Sequence, residues 1–138
     1  MISSGTHNLF PQPIFDRVYK NAPDGYLLEM DCDYGCMAAW YAMSAMGLYQ
    51  VCPGNPTYNI AAPIFKKVVL NLDTSIYQGK TFTIVAGNLS KENIYIQSAK
   101  LNGKPYNSAF LKHEDIIAGG KLVFEMGAIP NKMWGGNQ

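Results

Sequence analysis

The chain has 138 residues, of which 48% are hydrophobic and 15% charged, and its formal net charge is +1. This is the length and composition of one ordinary globular domain, which excludes a disordered or fibrous protein. The basic residues are scattered along the chain and form no basic stripe, so the electrostatic signature of a nucleic-acid-binding protein is missing. We therefore expect a globular domain whose partner is uncharged.

The sequence also shows no targeting signals. No stretch reaches the 18 or more consecutive apolar residues of a membrane helix. Residues 1–13 contain no apolar run long enough for the centre of an export signal. The sequence thus predicts no membrane span, and it shows no export signal of its own.

The first predicted elements lead to a pair of acidic residues. Residues 13–20 have the pattern of a short amphipathic helix, which Asn21 and Pro23 close, and Asp24-Gly25 then turns the chain. Residues 26–30 are predicted to be an extended loop. This loop runs directly into Asp31 and Asp33.

Asp31 and Asp33 immediately precede a predicted helix at residues 34–48. The start of a helix offers unpaired N–H groups and the positive end of the helix dipole, which keep carboxylates ionised and able to act as bases or ligands. The alternative is that Asp33 is only the N-cap of the helix and that Asp31 is a solvated loop residue.

The helix at residues 34–48 is apolar on every side, which is typical of a core helix, and Gly47 is its predicted end. One short amphipathic neighbour cannot cover its whole circumference. We therefore expect it to dock on the rest of the chain, to remain exposed, or to form a homo-oligomer through its apolar surface.

The three cysteines, Cys32, Cys36 and Cys52, form no CxxC pair and are odd in number. They indicate neither a disulfide framework nor a zinc site, and no metal ligands are predicted in the chain. Cys36 and Cys52 are predicted to be small apolar fillers of the helix and of the turn after it.

After residue 53 the hydrophobic pattern changes to a period of two. Antiparallel strands are predicted at residues 66–71, 81–85, 94–98 and 121–125. Asn102-Gly103 predicts a tight hairpin turn, and residues 113–120 predict one short helical turn. The predicted fold class is α+β, with a helical segment at 1–53 and a small antiparallel β-sandwich at 54–138.

The order of several sequence blocks between residues 23 and 134 resembles the C-terminal part of glycoside hydrolase family 92. The blocks are Asp31-x-Asp33-x-Gly35-x-x-Ala38-Ala39-Trp40-Tyr41, Ser44-Ala45-Met46-Gly47-Leu48-Tyr49, Val51-Cys52-Pro53-Gly54, Phe65-Lys66-Lys67, Thr81-Phe82-Thr83-Ile84, Glu92-Asn93-Ile94-Tyr95-Ile96-Gln97, Leu101-Asn102-Gly103-Lys104-Pro105-Tyr106, Phe124-Glu125-Met126-Gly127 and Pro130-Asn131-x-x-Trp134-Gly135. By this resemblance, the helical segment is the last helix of an (α/α)6 barrel.

Members of that family are calcium-dependent, inverting exo-α-mannosidases, and the resemblance carries this chemistry to particular residues. It implies that Asp33 is the general base, that Asp31 orients the water, and that the general acid lies on a barrel helix upstream of this chain. It also implies a mannose-containing glycan as partner, a calcium ion held mostly outside this chain, and a periplasmic or cell-surface location. The chain alone is expected to be inactive.

Two neighbours of the acid pair depart from the family pattern. Met30 stands where the family usually has glycine, and Cys36 stands where it usually has a polar residue. Cys36 and Trp40 are the candidate substrate contacts, although an aromatic in such a helix more often packs. These departures favour the alternative of a non-catalytic carbohydrate-binding or interaction module.

Overall fold

The computed structural model of the protein describes residues 35–136. The helices and strands of this part are α1 (Cys36–Ala45), β1 (Leu48–Tyr49), β2 (Thr57–Ile60), β3 (Lys67–Asn71), β4 (Thr81–Gly87), β5 (Tyr95–Leu101), β6 (Lys104–Pro105), β7 (Phe110–Lys112), α2 (His113–Ile117) and β8 (Gly120–Gly127). The helix predicted at residues 13–20 and the loop predicted at 26–30 lie outside the described residues.

The strands form two sheets. A three-stranded sheet has the order β1-β2-β7, and a five-stranded sheet has the order β3-β4-β8-β5-β6. The α+β fold class is confirmed, and each of the four predicted strands is present. The prediction that every pair is antiparallel is wrong for one pair, since β4 and β8 run parallel. A period of two identifies a strand but not the direction of its neighbour.

One hydrophobic core joins the two sheets. Its members from the three-stranded sheet are Leu48, Ile60 and Leu111. The five-stranded sheet contributes a larger set: Phe82, Ile84, Ala86, Ile96, Ala99, Leu122, Phe124 and Met126. The chain therefore folds around a single apolar interior that residues of both sheets line.

The turn between β5 and β6 has the predicted geometry. Asn102 has φ 51° and Gly103 has φ 83°, so both central residues of the turn lie in the left-handed region. This is the primed turn whose twist matches that of the flanking strands. The Asn102 side chain also accepts a hydrogen bond from the backbone N–H of Lys121 at 2.8 Å, which ties the turn to the start of β8.

Helix α1 is shorter than predicted, because Gly47 turns the chain with a φ of 86° and Leu48 then enters strand β1. Two backbone hydrogen bonds hold this end of the helix to the sheet region. The N–H of Ile64 donates to the Ala45 carbonyl at 3.0 Å, and the N–H of Ala61 donates to the Gly47 carbonyl at 2.9 Å. The C-terminal end of α1 is therefore fixed to the sheets.

The predicted division of the chain at residue 53 remains a prediction. Strand β1 precedes this position and pairs with β2 beyond it, with Leu48 opposite Ile60. Met43 of α1 also packs against the common core.

Candidate functional site

The helix that follows the acid pair begins at Gly35, its N-cap residue, which has a φ of 79°. Glycine adopts this left-handed conformation without the steric cost that a side chain imposes. No side chain makes a capping hydrogen bond at this position. The N-cap of α1 is thus Gly35, while Asp33, the N-cap in the alternative interpretation, lies outside the described residues.

The surface of α1 is largely uncovered in the part of the chain that the structure describes. Of its ten residues only Ser44 and Ala45 are buried, and both lie in the last turn. Four residues nearer the start are exposed: Cys36, Ala38, Ala39 and Ala42. Residues 35–136 therefore do not bury α1 as a core helix, although its sequence has that character.

The geometry of α1 separates its N-terminal end from the C-terminal end that is hydrogen-bonded to the sheet region. Ten helical residues rise about 15 Å along the axis. The helix is bonded to the sheets at Ala45 and Gly47, so its first turn stands about that far from the attachment. The acid-pair segment connects to the chain at this distant end.

The predicted catalytic residues Asp31 and Asp33 lie outside the described residues. Of the candidate substrate contacts, Cys36 is exposed in the first turn of α1, and Trp40 is half-buried one turn later. The prediction that Cys36 and Cys52 are buried fillers is wrong, since both are exposed. Cys36 lies at the helix end far from the core, and Cys52 lies in an exposed loop at residues 51–56.

Trp134 and His113 have structural surroundings. Trp134 is buried and meets the Phe124 ring edge to face, with centroids 6.3 Å apart. His113 is the first residue of α2, and its Nδ1 lies 3.0 Å from the Tyr58 hydroxyl.

The family resemblance implies a calcium ion that is held mostly outside this chain. Across residues 35–136, no three His, Cys, Asp or Glu side chains come together to hold a metal ion. No helix in this part of the chain is long and apolar enough to cross a membrane.

The special backbone of Gly35 escaped the sequence reasoning. Its signal was present, because glycine is the residue that enters a helix from a left-handed conformation at no steric cost. A glycine two residues after the second aspartate could have been read as the point where the chain bends into α1.

Comparison with known proteins identifies the class. Residues 9–128 match the model of the glycosyl hydrolase family 92 catalytic domain. An inverting mannosidase of family GH92 from Bacteroides thetaiotaomicron superimposes with a TM-score of 0.85 and 35% identity over 98% of this chain. A second α-mannosidase of the family from that organism gives a TM-score of 0.80 and 33% identity over 91% of the chain. An uncharacterized secreted glycosidase from the fungus Arthroderma benhamiae is 35% identical over 77% of the chain.

These similarities define a glycoside hydrolase fold. The chain belongs to glycosyl hydrolase family 92. It spans 18% and 16% of the lengths of the two bacterial enzymes and 13% of the fungal glycosidase.

Proposed function

We propose that this chain is the C-terminal part of an inverting α-1,2-mannosidase and supplies the general-base loop of its active site. The observation that carries the proposal is the superposition of 98% of the chain on an inverting mannosidase at 35% identity. The order of the sequence blocks around Asp31 and Asp33 supports the same assignment.

The proposed chemistry uses two carboxyl groups on opposite faces of the sugar. In an inverting hydrolase, one carboxylic acid protonates the leaving oxygen, and a carboxylate about 6.5–9.5 Å away removes a proton from the attacking water. We assign the base to Asp33 and the orientation of the water to Asp31. The acid would come from a residue outside these 138.

The start of α1 supports this role for Asp33 through its charge. Asp33 is two residues from Gly35, and two residues span at most about 7 Å. The helix that begins there has no side-chain cap, so the positive end of its dipole is available to the residues that precede it. A carboxylate near that end is favoured in its ionised form, which is the form a general base requires.

Three further parts of the proposal follow from the family. The partner would be a glycan with terminal α-mannose, and the full protein would work in the periplasm or at the cell surface, in keeping with the secreted fungal relative. Calcium would take most of its ligands from residues outside this chain. No step assigned here passes through that ion.

The alternative is a non-catalytic module that binds carbohydrate or another protein. Exposed Cys36, where the family usually has a polar residue, is the observation that favours it. The two functions differ in whether the acid pair can support turnover in a complete barrel.

A chimeric enzyme tests this difference. Residues 1–138 would replace the matching 18% of the inverting mannosidase. With calcium in the buffer, the chimera should release mannose from an α-1,2-linked mannose disaccharide, whereas the 138-residue chain alone should not. A folded chimera without turnover would favour the non-catalytic module, and turnover by the chain alone would show that the acid lies within it.

The exposed start of α1 predicts self-association. Because Ala38 and Ala42 lie one turn apart and are both exposed, the isolated chain should elute in size-exclusion chromatography above its monomer mass of 15.2 kDa. The double variant Ala38→Lys/Ala42→Lys should elute as a monomer. The control Thr74→Lys/Asn107→Lys adds the same charge at exposed positions elsewhere and should stay associated. A monomeric unmodified chain would contradict the prediction.

A further inference from the structure

The five-stranded sheet has a second face that the core does not use. Along β4 the side chains of Phe82, Ile84 and Ala86 are buried, and along β8 those of Leu122, Phe124 and Met126 are buried. Because side chains alternate along a strand, the residues between them point away from the core. These outward residues include Thr83, Val85, Lys121 and Val123.

The pairing register of the strands places three lysines on this outward face. Lys67 on β3 is opposite Val85, Val85 lies beside Val123, and Val123 is opposite Lys100 on β5. Lys67 and Lys100 are therefore three strand spacings, about 14 Å, apart. Lys121 is two residues from Val123 on β8 and lies beside Thr83. We call Lys67, Lys100 and Lys121 with the residues between them the lysine face.

The charge of this face is not neutralised by the described residues. All three lysines are exposed, and none has a carboxylate within ion-pairing distance among residues 35–136, where Lys112 and Glu114 form an ion pair. Among the described residues the face also carries one acid, Glu125, which accepts a hydrogen bond from the Asn88 side chain, so three lysines and one carboxylate leave the face with a net positive charge. Residues scattered in the sequence thus become one positive surface in the fold.

The remaining residues of the face indicate what kind of anion fits. Val85 and Val123 form a flat apolar centre between the lysines, and Thr83 and Ser98 add hydroxyl groups nearby. A pyranose ring has apolar C–H surfaces and hydroxyl edges, so it matches a flat mixture of valine, threonine and serine. Extended peptides are instead usually bound along an open strand edge or in a groove. The lysines then select a polymer with negative groups.

We propose that the lysine face binds an acidic polysaccharide, with its carboxylate or sulfate groups on Lys67, Lys100 and Lys121. None of the residues of this site belongs to the acid pair, and binding there does not depend on turnover. It would hold the protein on an acidic glycan surface while another site acts.

Binding of polygalacturonate and heparin by the 138-residue chain, measured by isothermal titration calorimetry at low and high salt, tests the proposal. The unmodified chain should bind both polymers and should bind them more weakly at high salt, because exposed charges are screened. The triple variant Lys67→Gln/Lys100→Gln/Lys121→Gln should bind at least about tenfold more weakly, as expected for the loss of three exposed ion pairs.

A matched control uses three other exposed lysines on the core side of the same sheet, two just before β3 and β4 and one on β6. Lys66, Lys80 and Lys104 are opposite Ala86, Leu72 and Leu101, which belong to or pack against the core. Their triple change to glutamine removes the same charge and should leave binding within about twofold, since exposed charges off the site contribute little. If both triple variants bound the polymers equally weakly, the lysine face would not be the binding site. An unmodified chain that binds neither polymer would also contradict the proposal.

Two more experiments determine which class of polymer binds and which surface of the chain it contacts. Polyglutamate that binds as tightly as the polysaccharides, with the same dependence on the three lysines, would overturn a polysaccharide in favour of an acidic polypeptide. In the unmodified chain, NMR titration with oligogalacturonate should shift the backbone amides of Thr83, Val85 and Val123 and leave Ile60 and Leu111 unchanged. The reverse pattern would also overturn the proposal.

Discussion

Replacement of Asp33 by asparagine is expected to lower kcat of the chimeric mannosidase by about two to four orders of magnitude, the usual contribution of a general base. Asparagine has nearly the same shape, but its amide cannot take a proton from the attacking water. KM should change little, because the base acts mainly in the transition state. The measurement is steady-state release of mannose from the α-1,2-linked disaccharide.

The pH dependence separates a base from a structural residue. An ionised base produces the acidic limb of the kcat/KM profile, so this limb should disappear in Asp33→Asn. Asp31→Asn should lower kcat less and keep the acidic limb, since the role proposed for Asp31 is only to orient the water. If Asp31→Asn removed the limb and Asp33→Asn did not, the two roles would be exchanged; two unaffected profiles would exclude the motif as the source of the base.

Replacement of Phe124 by alanine should lower the free energy of unfolding by about 3–5 kcal/mol, the typical cost of removing a buried aromatic ring. Phe124 is 0% exposed and lies on β8, and its ring meets Trp134 edge to face. The change would leave a cavity at the centre of the common core. The total free energy of unfolding of a small domain is about 5–15 kcal/mol, so this loss is a large fraction of its stability.

Urea unfolding followed by tryptophan fluorescence measures this loss, because Trp134 reports on the altered surroundings. Val69→Ala on β3 is the control, since Val69 is 45% exposed and on the outward face. It should cost less than about 1 kcal/mol. Similar losses in the two variants would contradict the central position of Phe124 in the core.

Local patterns of the sequence predicted local structure well. Asn102-Gly103 predicted the hairpin turn because few other residue pairs accept two left-handed conformations in a row. Acids at the start and glycines at the end of residues 113–120 predicted α2. The strands followed from alternation, which is a property of neighbouring residues.

Long-range pairing could not be predicted in the same way. The parallel pair of β4 and β8 joins residues 82 and 120, and no local pattern specifies such a partner. The predicted helix includes Leu48, whereas the pairing of Leu48 with Ile60 places this residue in a strand. The exposure of Cys36 depends on where α1 is attached, which is a tertiary feature.

For the candidate functional residues, too, some could be assigned from the sequence and others only from the fold. The resemblance assigned roles to Asp31 and Asp33 from the order of the blocks, and those roles stay predictions. The lysine face could not be seen in the sequence, because its three lysines lie on β3, β5 and β8 and meet only through the register.

The place of β8 in the sheet has a consequence for biosynthesis. This strand lies between β4 and β5, yet it is the last of the described strands in the chain. While the protein is being made, β4 and β5 have no common neighbour until residues 120–127 have left the ribosome, and pairing between distant segments is slow. The five-stranded sheet, which shares its core with Met43 of α1, is therefore completed only after the segment with Asp31 and Asp33 and α1 itself have been synthesised.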